Sequence, residues 1–448
     1  MGRPKKTKAV STRTRKRKNP LQSVRGMHDI LPDEQKYWDY IIDNFVKTID
    51  PFGFQKIETP VLERTELFAR SIGDETDIVS KEMFTFTDKS GESLTLRPEW
   101  TASIMRAYIE RGMSSLSQPV KLYSLGPLFR HERPQAGRFR QFHQLNFEVI
   151  GDKSTVIDAQ VIFLAWKILE NIGINDIEIQ INSIGCPECR GEYRDVLMSF
   201  LSSKKNRLCV DCKKRLKKNP LRIFDCKNEK CQAILKDAPD IVDSLCEECH
   251  NHFKTILEYL DELSIPYNLN SKLVRGLDYY TRTTFEIWYK GSKENAAASA
   301  LGGGGRYDNL AELLGGRPTA AIGMALGVER IKNILEEKNI NVPERSKKTD
   351  VLLIQLGDLA KKKALGIFDE MIKGGIKVKE ALHKSSIKSQ LRLADNLGAK
   401  FAVIIGQKEI LDKTVLIRDM KSGIQEIVSY DKLLEELKMR LRNYGKKK

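Results

Sequence analysis

The sequence predicts an α+β chain: a large antiparallel-sheet domain interrupted by a cysteine-rich insert, then a smaller α/β domain. Three observations carry this. Adjacent, hairpin-linked strands dominate residues 21–340, all eight cysteines fall between 186 and 249, and strands alternate with helices only after 350. The expected organisation is a basic disordered tail at 1–20, the antiparallel domain at 21–340 with its insert at 183–270, and the α/β domain at 350–448.

The tail has nine Lys/Arg and no acid between Met1 and Asn19, more than half of the net charge of +16. It lacks the apolar stretch of a secretory signal. A solvated tail is the plain reading, and contact with nucleic acid phosphates the sharper one. From 33 to 50, Tyr37, Trp38, Ile41, Ile42 and Phe45 recur at helical spacing. "QKIETPVLE" then reads as a strand. "EMFTFTDKSGESLTLRP" has the alternation and Lys-Ser-Gly turn of a hairpin, and "EWTASIMRAYIERG" is a helix ending at Gly112. "VKLYSLGPLFRHE" is a strand that pairs, through the turn "RPQAGR", with the strand after it. "VIDAQVIFLAWKILENIGI" is an apolar helix and "DIEIQINSIG" a strand. Beyond the insert, "YTRTTFEIWY" resumes strand patterning. "GGGGRYDNLAELLG" reads as a glycine-rich turn entering a helix, and "AIGMALGVERIKNIL" as a strand followed by a helix. After the polar linker "NVPERSKKTD", the strands "VLLIQLG", "IKVKEAL", "KFAVIIG" and "TVLIRDM" alternate with helices, the order of a mostly parallel sheet. No apolar run approaches the roughly 18 residues a membrane helix needs, so the expectation is a cytoplasmic chain without membrane contact.

The stretch "RHERPQAGRFRQFHQLNFEVIG", 130–151, sets Leu145, Phe147 and Val149 on one side of a strand. Gln144, Asn146 and Glu148 fall on the other. A solvated strand face is indifferent to which polar residues it shows, yet this one carries amides and a carboxylate just after an arginine-dense turn. Arg97, Arg106, Arg130, Arg133, Arg138, Arg140, Arg275, Arg282, Arg306 and Arg330 all lie in or beside strand and turn segments. A guanidinium grips phosphate in two-point fashion. With no GxxxxGK[ST] anywhere, this pattern points to a polyphosphate held by side chains instead of a P-loop. Arg106 and Arg140 fit surface ion pairs better.

The cysteines come in pairs: Cys186 with Cys189, Cys209 with Cys212, Cys226 with Cys231, and Cys246 with Cys249. Nineteen residues separate the first two pairs and 14 the last two, close to the spacing of four-cysteine zinc sites. Disulfides do not suit a chain without an export signal. The expectation is two closed structural zinc sites, 186/189/209/212 and 226/231/246/249, with His250 or His252 as substitute ligands.

"FRHERPQAGRFRQFHQ" resembles motif 2 of the class II aminoacyl-tRNA synthetases, "AIGMALGVERI" resembles motif 3, and "GFQKIETP" with Pro60 is similar to motif 1. "RGLDYYTRTTFE" at 275–286 and "GGRYD" at 304–308 resemble the histidyl-tRNA synthetases in particular, as do "RGMHDILP" and "IGQKE". The resemblance runs in order from residue 25 to about 440. It implies a class II antiparallel-sheet catalytic domain, a C-terminal anticodon-binding domain and a homodimer built through motif 1. It also implies ATP-dependent ligation of L-histidine to tRNA-His through a histidyl-adenylate, with magnesium accompanying ATP. By position, catalytic Arg130 would clamp the α-phosphate and Arg330 the γ-phosphate, with Glu132 facing ATP. Glu99, Thr101 and Gln144 would hold the α-amino group, Glu148 and Tyr280 would read the imidazole nitrogens, and Tyr279 would shape the pocket. Arg275 would sit against the carboxylate and α-phosphate. The insert takes the place of the family's insertion domain, which contacts the tRNA acceptor stem. Trp100 departs from the family's frequent glycine, so packing beside Glu99 is expected to differ. Two other readings are a histidine-biosynthesis regulatory paralogue and a non-catalytic nucleic-acid-binding zinc protein. The first lacks the C-terminal domain that this sequence contains.

Overall fold

The computed structural model describes residues 20–73, 76–133, 137–291, 300–343 and 349–444. The basic tail, 1–19, lies outside them, as does part of the "RPQAGR" turn. The chain divides into two compact units, Met1–Val342 and Pro343–Lys448.

In chain order the strands of the first unit are β1 (Gln55–Lys56), β2 (Leu62–Arg64), β3 (Phe84–Thr87) and β4 (Ser93–Leu96), then β5 (Val120–Phe129), β6 (Gln141–Ile150), β7 (Ile177–Ser183) and β8 (Tyr267–Leu269). They end with β9 (Thr281–Tyr289), β10 (Ala300–Arg306) and β11 (Ala321–Gly327). Eight of them form one sheet in the order β1-β5-β6-β11-β10-β9-β7-β8. Its interior pairs are antiparallel, and the two short edge strands pair parallel to their neighbours. β2, β4 and β3 make a separate small sheet. "QKIETPVLE" is thus split between two sheets, with Pro60, which cannot donate to a ladder, in the gap.

The strand β6 lies between β5 and β11, and its two faces differ. Leu145, Phe147 and Val149 are fully buried in a core built with the helices Gln35–Ile49 and Thr155–Ile172. On the opposite face the neighbours are mostly small. Gln144 is flanked by Gly126 and Gly327, Asn146 by Ser124 and Ala325, and Glu148 by Leu122 and Gly323. That register clears space over the polar residues of β6.

The expected glycine-rich turn is a strand: Gly302–Gly305 lie inside β10 and pair with both β9 and β11. Composition suggested a turn, but here the glycines serve close approach. A Cβ at Gly303 would lie 2.9 Å from Arg275 Nη1, and one at Gly305 2.9 Å from Tyr280 Cδ1.

Arg306, at the end of β10, is not a phosphate ligand. It is 1% exposed and paired with Asp158, which is 0% exposed and also accepts from Thr283 Oγ1 at 2.7 Å. The guanidinium donates as well to the carbonyls of Asp152 and Ser154, tying the start of the helix Thr155–Ile172 to the sheet.

In the second unit β12 (Val351–Gln355), β13 (Val378–Glu380), β14 (Phe401–Ile405), β15 (Thr414–Asp419) and β16 (Gln425–Ser429) take the order β13-β12-β14-β15-β16. Only the first three are parallel. The expected mostly parallel sheet is completed by an antiparallel hairpin, because β15 and β16 are joined by a tight turn at Gly423 and need no crossover. Among the described residues, no helix is long and apolar enough to cross a membrane.

Removing one partner of a buried ion pair strands the other charge, so Arg306→Met should cost about 3–5 kcal/mol of stability. A thermal unfolding midpoint equal to that of the unmodified chain would contradict this role.

Candidate active site and cysteine clusters

A cavity of about 520 Å³ opens on the polar face of β6. Of the sequence-derived candidates, Glu99, Thr101, Arg130, Glu132, Gln144, Arg275, Tyr279, Tyr280 and Arg330 line it, together with Arg138 and Asn146. Glu148 is wholly buried beside it.

Each guanidinium is held by protein groups. Arg130 Nε donates to the Pro98 carbonyl at 3.0 Å, and its head lies 5.3 Å from the Phe142 ring centre. Arg138 pairs with Glu132 at 3.2 Å. Arg275 pairs with Glu286, which also accepts from Trp288 Nε1 at 3.1 Å. Arg330 Nη1 donates to the Ala300 carbonyl. Four fixed cations around one hollow make a receptor for a polyanion. The other arginines serve elsewhere. Arg97, 2% exposed, donates to the carbonyls of Thr59 and Pro127 and stacks 3.7 Å from the Trp100 ring centre. Burial pulls its pKa down to about 10. Arg106 pairs with Glu63 and Glu110, as expected, and Arg282 with Glu248. Arg140, expected in an ion pair, donates to the carbonyls of Glu132 and Arg25 instead.

The carboxylates are equally constrained. Glu99 precedes the helix Thr101–Glu110 and accepts from the backbone N–H groups of Thr101 at 2.6 Å and Ala102 at 2.8 Å. Tyr279 Oη donates to it at 3.4 Å. Glu148 accepts from Thr101 Oγ1 at 2.6 Å, Asn146 Nδ2 at 3.0 Å and Tyr307 Oη. Burial raises its pKa to about 7 against the pull of those donors. Any side chain at Gly323 would collide, since a Cβ there would sit 1.4 Å from Glu148 Oε2. Trp100, in place of the family's frequent glycine, is 1% exposed and forms part of the cavity wall beside Glu99.

Tyr307, within "GGRYD", has no expected role in the sequence; its only signal is a tyrosine closely following a glycine run. Glu286, which lines the cavity from β9, and Asp225 and Lys227, which reach it from either side of Cys226, likewise carry no local signal of a site.

The thiols form two four-cysteine clusters, but the expected pairing is wrong. Cys186, Cys189, Cys246 and Cys249 come together, and Cys209, Cys212, Cys226 and Cys231 form the other set, sulfurs within each lying within 4.8 Å of one another. His250 and His252 belong to neither. The clusters are nested because the helix Pro187–Ser202 carries the chain about 24 Å away from the first pair. The second pair therefore meets the third at the far end, and the helix Glu247–Glu262 starts where the outer set closes. Four thiolates at these separations suit a tetrahedral zinc ion and leave no open position, so such a metal would hold the insert together.

An antiparallel sheet that sets a buried strand carboxylate beside one cavity, with arginines reaching that cavity from the connecting segments and a following helix and without a P-loop, is the catalytic architecture of the class II aminoacyl-tRNA synthetases. Residues 26–331 match the family model described as histidyl-tRNA synthetase, and residues 350–440 match the anticodon binding domain model. A histidine–tRNA ligase of Halothermothrix orenii is 46% identical over 417 residues, covering 93% of this chain and 99% of that one. One from Dehalococcoides mccartyi is 45% identical over 420 residues, covering 94% and 100%. The crystal structure of the apo histidyl-tRNA synthetase of S. aureus superposes with a TM-score of 0.77 at 36% identity, over 94% of this chain and all of that one. The chain belongs to the histidyl-tRNA synthetase family.

Metal analysis of the purified chain should give about two zinc ions, one for each cluster. The double substitution Cys186→Ser with Cys249→Ser should leave about one, because both residues serve the same set. Loss of both ions would restore the consecutive pairing, and a value near zero in the unmodified chain would remove zinc altogether.

Proposed function

We propose that the chain ligates L-histidine to tRNA-His in two steps. A carboxylate oxygen of histidine attacks the α-phosphorus of ATP and pyrophosphate leaves. A terminal ribose hydroxyl of the tRNA then attacks the carbonyl carbon of the histidyl-adenylate, and AMP leaves. The observation that carries this reading is the juxtaposition, in one cavity, of four fixed guanidinium groups and a buried carboxylate network.

In this reading Arg130, Arg275 and Arg330 meet the charge that builds on the phosphates, with Glu132 toward ATP and magnesium entering with the nucleotide. Glu99, Thr101 and Gln144 take the α-amino group. A carboxylate offers about four acceptor sites. Three of those on Glu148 are used by Thr101, Asn146 and Tyr307. The remaining one suits an imidazole N–H, with the Tyr280 hydroxyl on the other ring nitrogen and Tyr279 packed against it. A ring that leaves those groups unpaired is rejected, which is how such a site discriminates. The C-terminal unit would take the anticodon, and the motif 1 segment would form a homodimer. The intact C-terminal unit speaks against a regulatory paralogue. A cytoplasmic location suits this role.

The test is histidine-dependent exchange of pyrophosphate into ATP, followed by charging of tRNA-His. Exchange without charging would favour a paralogue, and neither would favour a binding module. Arg130→Ala should lower kcat for exchange by about 10²–10³-fold, the usual loss for a preorganised donor; full activity would remove Arg130 from the site. Since Glu148 is pushed up to about 7, it gains charge as pH rises from 6 to 8. Ionised, it accepts the imidazole N–H, so affinity for histidine should strengthen over that range, and Glu148→Gln should flatten the trend. A profile unchanged in the variant would show that Glu148 does not titrate against the ligand.

A further inference from the structure

One arginine of the insert, Arg222, holds the backbone of a segment on the cavity wall. The short 3-10 turn Pro220–Asp225 runs between Cys212 and Cys226, two thiols of one cluster. From it Arg222, only 8% exposed, reaches the segment that links the insert to β9. Its Nη1 donates to the Arg275 carbonyl at 3.0 Å, and its Nη2 to the Gly276 carbonyl at 3.0 Å. Asp225 accepts from the same Nη1 at 2.8 Å, and Asp278 lies 3.7 Å from Nε. Arg215 fixes the other end, donating to the Arg222 carbonyl at 3.1 Å while pairing with Asp77 at 3.0 Å.

The segment from 274 to 280 forms no helix or strand, yet it carries Arg275, Tyr279 and Tyr280, all on the cavity wall. Its carbonyls lack ladder partners of the kind a strand would supply. A planar guanidinium spanning two consecutive carbonyls fixes both position and rotation of that backbone. Arg222 itself does not line the cavity.

We infer that Arg222 is a positioning residue: it locks the backbone under Arg275 and so sets the placement of that guanidinium against the reacting phosphate. This rests on the adenylation reading above. The inner cysteine cluster brackets the turn, so it holds the lock itself in place. A lysine at 222 keeps the charge but replaces the rigid planar fork with a compact ammonium on a flexible stem, which can reach the carbonyls without fixing the rotation of the backbone that carries them.

The test uses the full chain with its metal content measured. Arg222→Ala and Arg222→Lys should each lower kcat for pyrophosphate exchange by roughly 10- to 100-fold, the scale of an ångström-sized misplacement. KM for histidine and ATP should change by less than about threefold, because the pocket's other contacts persist. In an Arg275→Ala background, single-turnover adenylate formation should fall less than about twofold further on adding Arg222→Ala, since the two act as one unit. Should the alanine variant lose metal or fail to fold, the lysine variant decides. Wild-type kcat in Arg222→Lys with unchanged metal content would overturn the proposal, as would the same loss from Arg222→Ala with and without Arg275. An unmodified chain without histidine-dependent exchange would overturn the functional reading itself, and the positioning role with it.

Discussion

Glu148 lies near the middle of the eight-stranded sheet with no solvent exposure, and a carboxylate there persists only if protein groups replace the water it has lost. Its donors come from three places. Thr101 opens a helix, Asn146 lies two residues away on the same strand, and Tyr307 follows β10. Each donor commits its element to a position, and Gly323 must lack a side chain for the carboxylate to fit. The energetic demand of one buried acid therefore organises helix, hairpin and strand around a single point.

The same economy extends to the arginines. Guanidinium groups are useful for transition-state charge only if their orientation is settled beforehand. Here a carbonyl or a carboxylate holds each one: Pro98 for Arg130, Glu132 for Arg138, Glu286 for Arg275 and Ala300 for Arg330. Arg97 and Arg306 use their forks on the protein itself, Arg97 on the carbonyls of Thr59 and Pro127 and Arg306 on Asp158 and the start of the helix Thr155–Ile172.

Much of this was legible in the sequence, for reasons that differ by element. The alternation of Gln144, Asn146 and Glu148 against Leu145, Phe147 and Val149 marked a strand with two unlike faces, because strand periodicity is local. The glycine run 302–305 misled, because glycine serves close packing inside a sheet as readily as it serves turns. The cysteine pairs were visible, but their partnership was not. Spacing measures contour length, whereas a 16-residue helix decides which pairs meet. Arg222 was invisible for a related reason, since nothing local distinguishes an arginine that bonds carbonyls more than fifty residues away. Resemblance implies the roles proposed for Arg130 and Glu148, but the small residues flanking β6 required the register.

The most direct measurement is an experimental structure with histidine and a non-hydrolysable ATP analogue bound. One imidazole nitrogen should lie within hydrogen-bonding reach of the Glu148 carboxylate, and the phosphates should contact Arg130, Arg275 and Arg330. A histidine ring bound elsewhere, with Glu148 still bonded to Thr101, Asn146 and Tyr307 alone, would contradict the role of that buried acid.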